Sequence, residues 1–298
     1  MLNLTGDTRA LNHTMMQQLR NPLIFQSAVS TYTATHIIGE GGPGRVYKAT
    51  DESEAQHAIK MLKPESANAQ QRQRFNNELC FGLDNAHQNI ITITDYGLHH
   101  SEAKRIPFYV MPLYRCSLRT LMNDRIHPHK VLRYFSQLLN GIEAAHIKGI
   151  VHRDLRPENI LYDEEQDRLI LADFGRAHFT EADLYMPVDP SPQIRLVNKK
   201  YAAAEPRVGR RQVKQTADIF ALGCILNGMF TGEIPNGTDY KTIGGVTPQY
   251  GYLDEIVAQM MHPSPDARPA SVEVIKKVLM KGGSFTISIN SLTSAIPL

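Results

Sequence analysis

Near Tyr114 the apolar pattern of this 298-residue chain changes its period, and that change constrains the fold more than any other feature. Before it, short β-branched runs at Tyr32 to Ile38, Arg45 to Thr50 and Gln56 to Met61 are cut by glycine or acidic turns, the signature of an antiparallel meander. Two further strands are predicted at Ile91 to Tyr96 and Phe108 to Met111. Between the two sets, Glu65 to Leu83 places Phe75, Leu79 and Leu83 at helical spacing and reads as one amphipathic helix. After Tyr114 the clearest segments are helical: His129 to Lys148, Thr216 to Thr231, Tyr252 to Met261 and Ser271 to Met280. The expected class is therefore α+β, with a small antiparallel β lobe carrying one helix, followed by a larger helical lobe. Residues 1–31 read as an extension, with one or two helical turns at Thr14 to Leu19. Residues 32–113 form the first lobe, 114–281 the second, and 282–298 a tail without helical period.

Composition narrows the function classes. The 32 Lys and Arg nearly balance 30 Asp and Glu, so no global field points to nucleic acid or to an anionic membrane. The three cysteines, Cys80, Cys116 and Cys224, are widely spaced and fit a reducing cytoplasm. Ile219 to Phe230, the most apolar stretch, is interrupted by Asn227 and too short to span a bilayer, so no membrane anchor is expected.

Gly39, Gly41 and Gly44 stand at G-x-G-x-x-G spacing between two predicted strands. Glycine lets backbone N–H groups approach phosphates closely, although a purely structural hairpin turn has the same appearance. A strand follows the loop instead of a helix, which argues against a dinucleotide fingerprint. One strand later, Lys60 ends the apolar run Ala58-Ile59-Lys60. After such a loop it reads as a cation for the α- and β-phosphates, and Glu78 on the following helix is a candidate counter-ion. By position alone, the reading of Glu78 as one of several exposed helix acids is the favoured one.

The most specific segment is Ile150-Val151-His152-Arg153-Asp154-Leu155-Arg156-Pro157-Glu158-Asn159-Ile160-Leu161, followed after a predicted hairpin by Asp173-Phe174-Gly175. With the Gly-rich loop, the strand Lys and a later Ala203-Ala204-Glu205, this ordered set resembles the eukaryotic-type (Hanks-type) serine/threonine protein kinases over roughly residues 32 to 281.

The resemblance implies ATP and magnesium ions as cofactors, and a protein substrate offering a Ser or Thr hydroxyl. It makes Asp154 the base for that hydroxyl, and Asn159 and Asp173 the metal ligands. Lys60 would touch the α- and β-phosphates and pair with Glu78, while Arg156 would lie beside the transferred phosphoryl. Asn198 stands in place of the family's threonine near the substrate. Adenine would lie among Val46, Ala58 and Leu161, bonded to the backbone of Pro112 and Tyr114, with Met111 gating the pocket. Glu205 would pair with Arg268, and Asp218 would anchor the catalytic-loop backbone. Arg153 would meet a phosphorylated residue of the activation segment, where Thr180 and Ser191 are candidates.

Four departures from the family pattern stand out: Pro43 at the loop tip, Gly82 where a bulky apolar side chain is usual, Asn198, and Arg156 in place of lysine. A weakly active pseudokinase serving as a nucleotide-regulated binding module is the alternative from another class. A small-molecule phosphotransferase of the same broad fold is the second, and the Glu205, Arg268 and Leu155 to Glu158 elements favour protein substrates over it.

Overall fold

The alternating runs at the front of the chain become a six-stranded antiparallel sheet, and the periodic runs behind them become helices. The computed structural model describes residues 16–41, 44–66, 68–101, 104–179, 215–235, 237 and 239–281. It divides into two units, Met1–Arg72 with Ile93–Leu113, and Gln73–Thr92 with Tyr114–Leu298.

In the first unit the strands are β1 (Gln17–Gln26), β2 (Thr31–Gly41), β3 (Gly44–Thr50), β4 (Gln56–Leu62), β5 (Asp95–Ser101) and β6 (Lys104–Pro112). Their spatial order is β1-β2-β3-β4-β6-β5. The sheet curls until its two edges meet: His99 Nδ1 lies 3.2 Å from the Ile24 carbonyl, and Ser27 Oγ donates to the Asp95 carboxylate. Tyr32 OH donates to the same carboxylate at 2.7 Å. Phe25, fully buried, packs edge-on against Phe108 and tilted against Tyr47 inside the curl.

The strand Gln17–Gln26 corrects the expectation of helical turns at Thr14 to Leu19 and of a separate extension through residue 31. Its pattern is faint because Phe25 is its one buried side chain and its pairing shifts register between Gln18 and Leu23. The helix expected from Glu65 starts later. Pro64–Ser66 form a 3₁₀ turn, and Asn68 Oδ1 accepts the Gln71 N–H at 2.9 Å, capping helix α1 (Ala69–Leu83). Ile91 to Thr94 are not a strand of the sheet: Ile91 donates its N–H to the Leu171 carbonyl at 2.8 Å, and β5 begins at Asp95.

The second unit is mainly helical. Strand β7 (Cys116–Ser117) leads into α2 (Leu118–Asn123) and α3 (Pro128–Ile147). Pro128 at the first helical position fixes φ where an N–H is not needed. Val131, Tyr134, Phe135, Leu138, Leu139, Ile142 and Ala145 then recur at helical spacing as the buried stripe. Short strands β8 (Ile150–Val151), β9 (Ile160–Asp163), β10 (Arg168–Leu171) and β11 (His178–Phe179) pair as β10-β9-β7 and β11-β8.

Helix α4 (Thr216–Thr231) is buried on nearly every side, and Gly232 at φ +74° ends it in the left-handed conformation that glycine accepts. Beyond it lie α5 (Ile243–Val246), α6 (Asp254–Met260) and α7 over 272–281. Helix α6 starts two residues after the expected Tyr252, because Pro248–Leu253 coil as 3₁₀ turns first.

Candidate active site

In the first unit the ladder sets the glycine loop beside the lysine. Gly39 pairs with Val46, Gly41 with Gly44, and Val46 with Lys60. On the other side of β4, Ala58 pairs with Met111 and His57 with Pro112. A Cβ on Gly44 would come 3.3 Å from Lys60 Cε, so the bare backbone lets the lysine stem lie close beneath the strand. Gly41 differs. A Cβ there would meet nothing within 4 Å among the described residues, and its φ is not left-handed, so the described part of the fold places no demand for glycine at this position. Lys60 Nζ lies 5.9 Å from the Tyr109 ring centroid. Pro43 lies outside the described residues.

In the second unit Asp218 organises the segment around Asp154. It is 1% exposed, and its carboxylate accepts the His152 N–H at 2.8 Å, the Arg153 N–H at 2.9 Å and His146 Nε2 at 2.8 Å. Burial alone would raise this carboxyl, but the hydrogen bond from His146 and the Arg153 N–H outweigh it and hold it below its ordinary value. These contacts keep Arg153 at φ +65°, an uncommon conformation for a side-chain-bearing residue.

His152, fully buried, accepts the Asp154 N–H on Nδ1 at 3.3 Å, so its proton sits on Nε2, 3.1 Å from the Ala172 carbonyl. Asp154 is therefore held from its own backbone. Its carboxylate receives Asn159 Nδ2 at 3.2 Å, and the same NH₂ donates to the Asp154 carbonyl at 2.8 Å. Both partners are acceptors, so Asn159 must present its NH₂ to them and turn its carbonyl oxygen elsewhere. Burial pushes the Asp154 carboxyl above the ordinary range, with the Asp173 charge adding to the rise; the Arg176 guanidinium, 3.9 Å away, opposes it.

Asp173 sits at φ +62°. The carboxylates of Asp173 and the buried Glu78 both face Gly175, where a Cβ would lie 3.4 and 3.5 Å from their oxygens. Phe81, one turn after Glu78, packs tilted against Phe174 at 4.3 Å between centroids, and Phe174 likewise against His152 at 4.5 Å. The bulky position that Gly82 leaves empty in the sequence pattern is thus served by its neighbour, while Leu83 points outward.

Arg156 gives its Nε to Glu158 Oε2 at 2.9 Å, and Arg119 on α2 gives its Nε to Oε1 at 2.9 Å. Leu161 follows on β9, and burial pushes the Tyr114 phenol up to about 12. Arg268, 4% exposed, donates to the carbonyls of His262, Thr216 and Pro263 and lies over the Phe220 ring. Asn198, Thr180, Ser191 and Glu205 lie outside the described residues.

The family model for the protein kinase domain matches residues 32–281. The chain belongs to the protein kinase family. Among its curated relatives, this kinase chain is 28% identical over 283 residues to "Serine/threonine-protein kinase A" of Synechocystis, covering 83% of this chain and 52% of that protein. It is 31% identical over 214 residues to human "Mitogen-activated protein kinase 13", covering 70% of this chain and 56% of that protein. The kinase chain thus spans about half the length of the curated relatives it matches.

Sequence reasoning about the kinase missed three contributors: His146, Arg119 and Arg176. Arg176 was visible directly after Asp173-Phe174-Gly175. His146 and Arg119 carry no such signal, since their carboxylate partners lie 72 and 39 residues away.

Proposed function

We propose that this chain transfers the γ-phosphate of ATP to serine and threonine hydroxyls of proteins. The observation that carries the proposal is Asp154, a carboxylate in a desolvated setting, fixed by Asn159 and by His152, with Asp173 in the same unit. In the reaction the acceptor oxygen bonds the γ-phosphorus, the bond to the β-phosphate oxygen breaks, ADP leaves, and the hydroxyl proton passes to Asp154. A carboxylate raised by burial is better matched to that proton.

Hard oxygen donors suit magnesium. The Asp173 carboxylate and the Asn159 amide oxygen, left over once its NH₂ is spent on Asp154, fit that ion as ligands. Bound there, magnesium would neutralise phosphate charge. In the first unit, Lys60 beneath Gly44 and the bare backbone at Gly41 fit a polyphosphate. Val46, Ala58, Met111, Pro112, Tyr114 and Leu161 are assigned to the adenine, and Asn198 to the acceptor side. Assignment to Ser/Thr over Tyr rests on the cation Arg156, two residues after Asp154.

A regulatory step is part of the proposal. Burial lowers the guanidinium of Arg153, with repulsion from Arg74 adding; Arg74 is lowered by burial and by Arg176. Arg74 Nε is buried without a hydrogen-bond partner among the described residues. Arg74, which feels both Arg153 and Arg176, favours an anion beside it even though Asp218 attracts Arg153 and Asp154 attracts Arg176, and autophosphorylation between Thr180 and Ser191 would supply that anion.

No helix among the described residues is long and apolar enough to cross a membrane. The unpaired Cys80, Cys116 and Cys224 support a cytoplasmic setting.

Phosphopeptide mass spectrometry after incubation with Mg-ATP and candidate proteins tests the activity. Phosphoserine and phosphothreonine are expected, and Lys60→Met, Asp154→Asn and Asp173→Ala each reduce them to near background. Turnover undiminished in Asp154→Asn removes the base assignment, and products dominated by phosphotyrosine remove the Ser/Thr assignment.

A further inference from the structure

Three rungs join β2 to β3 beside the glycine turn: Gly39 with Val46, Glu40 with Arg45, and Gly41 with Gly44. In an antiparallel pair, side chains that face each other across a rung fix one strand against the other. The first and third rungs contain glycine and so have no such pair. Glu40 and Arg45 form the one rung of these three with a side chain on both strands, so lateral support for this end of the hairpin falls to them.

Their contact extends to a third strand. Arg45 Nη2 donates to Glu40 Oε1 at 2.9 Å, and Lys63 Nζ reaches the same oxygen at 2.8 Å. Lys63 directly follows β4, the strand that carries Lys60. One carboxylate oxygen thus ties β2 and β3 to the end of β4. The hydrogen bond from Lys63, then that from Arg45, hold the Glu40 carboxyl below its ordinary value. Arg45 is raised by Glu40 against its burial, with Tyr47 adding to the rise.

Register decides what this group can touch, because side chains alternate between the two faces of a sheet. Val46 pairs with Lys60, and they share one face with Gly39, Gly41 and Gly44. Arg45 pairs with Met61, so Glu40, Arg45 and Met61 stand on the opposite face, where Lys63 joins them. The ion group lies behind the loop, away from the face assigned to phosphate. It acts on the loop and not on a ligand.

An ordinary surface ion pair adds little to stability, and this one need not add more. Its place is what matters. Glycine has more backbone freedom to lose than any other residue, and a loop that is ordered only when its ligand arrives charges that loss against binding. A brace that holds the turn in register beforehand lowers the cost.

We infer that Glu40, held by Arg45 and Lys63, is a positioning residue for the phosphates of ATP: it fixes the glycine turn at a set height over Lys60. This rests on the proposed use of ATP. The inference separates phosphate from adenine, since the phosphates are what the turn would meet.

The test measures binding of Mg-ATP and of adenosine to the purified full chain by isothermal titration calorimetry, beside steady-state KM and kcat for ATP. Glu40→Gln keeps the shape of the side chain and removes its charge. Kd and KM for Mg-ATP are expected to rise about three- to tenfold, with kcat within about twofold and Kd for adenosine unchanged. Arg45→Gln and Lys63→Gln should each give a smaller rise. Glu40→Lys should exceed Glu40→Gln, and adding Arg45→Glu to Glu40→Lys should recover part of the loss, because the pair is restored with its signs exchanged.

A Kd for Mg-ATP in Glu40→Gln within about twofold of wild type, an equal weakening of adenosine and Mg-ATP, or no recovery in the exchanged pair would overturn the inference and leave the transferase proposal in place. A wild-type chain that binds no Mg-ATP would remove the transferase proposal and the inference with it.

Discussion

Asp218→Asn changes one atom of a side chain that is 1% exposed, and the structure sets the size of the effect. The carboxylate serves three donors: Oδ2 takes the His152 N–H and His146 Nε2, and Oδ1 takes the Arg153 N–H. An amide has one acceptor oxygen. Placed at Oδ2 it keeps two donors, but the NH₂ then points at the Arg153 N–H, leaving two buried donors face to face. Each unmet buried donor costs about 1–3 kcal/mol, and loss of the charge opposite His146 adds to it, so a loss of about 2–4 kcal/mol is expected at neutral pH.

Urea unfolding followed by circular dichroism should show a lower midpoint with an unchanged m-value. The pH dependence supplies a second check. The folded carboxyl of Asp218 lies below its ordinary value of 3.8, so its contribution is fully present above that value and is lost as pH falls through the folded value. The gap between wild type and variant should therefore narrow on acidification below about pH 4. A loss under about 0.5 kcal/mol at neutral pH, or a gap that widens in acid, refutes the reasoning.

Phe81→Ala removes the buried ring packed against Phe174 and should cost about 3–5 kcal/mol, with Phe81→Leu milder, read by thermal or urea unfolding. Gly41→Ala should leave Tm within about 2 °C of wild type, because its Cβ meets nothing among the described residues, yet raise KM for ATP; an unchanged KM removes Gly41 from the phosphate site. Since burial raises the Asp154 carboxyl, kcat/KM should climb with pH through a value above that of an ordinary Asp, as the base must be deprotonated to work. A pH-rate profile that shows no acid limb contradicts that role.

The elements with strong periodicity were legible beforehand. Helix α4 begins and ends where its apolar run and Gly232 place it, and β3 and β4 differ from expectation by at most one residue. The errors fall where local pattern is weak or tertiary contacts decide. Ile91 looks like a strand residue, but its N–H goes to Leu171, and Gln17–Gln26 is polar enough to hide an edge strand. At the site, residue types in order pointed to Asp154, Asn159 and Asp173. The sequence could not show that Glu158 is shared by two arginines, or decide whether Phe81 or Leu83 fills the place that Gly82 leaves. Those facts depend on the directions side chains take from elements distant in sequence.

The curled sheet bears on how a shortened protein would behave. A chain cut to start at Tyr32, where the family match begins, would lose β1 and with it the ring of Phe25 that fills the curl. Strand β2 would then present an unpaired row of backbone groups from Tyr32 to Ile37, the residues that pair with β1, and Asp95 would lose its bond from Ser27. Exposed strand edges recruit other chains. Such a fragment would keep every residue assigned to chemistry and still tend to aggregate, whereas one starting ahead of Gln17 would retain the closed edge.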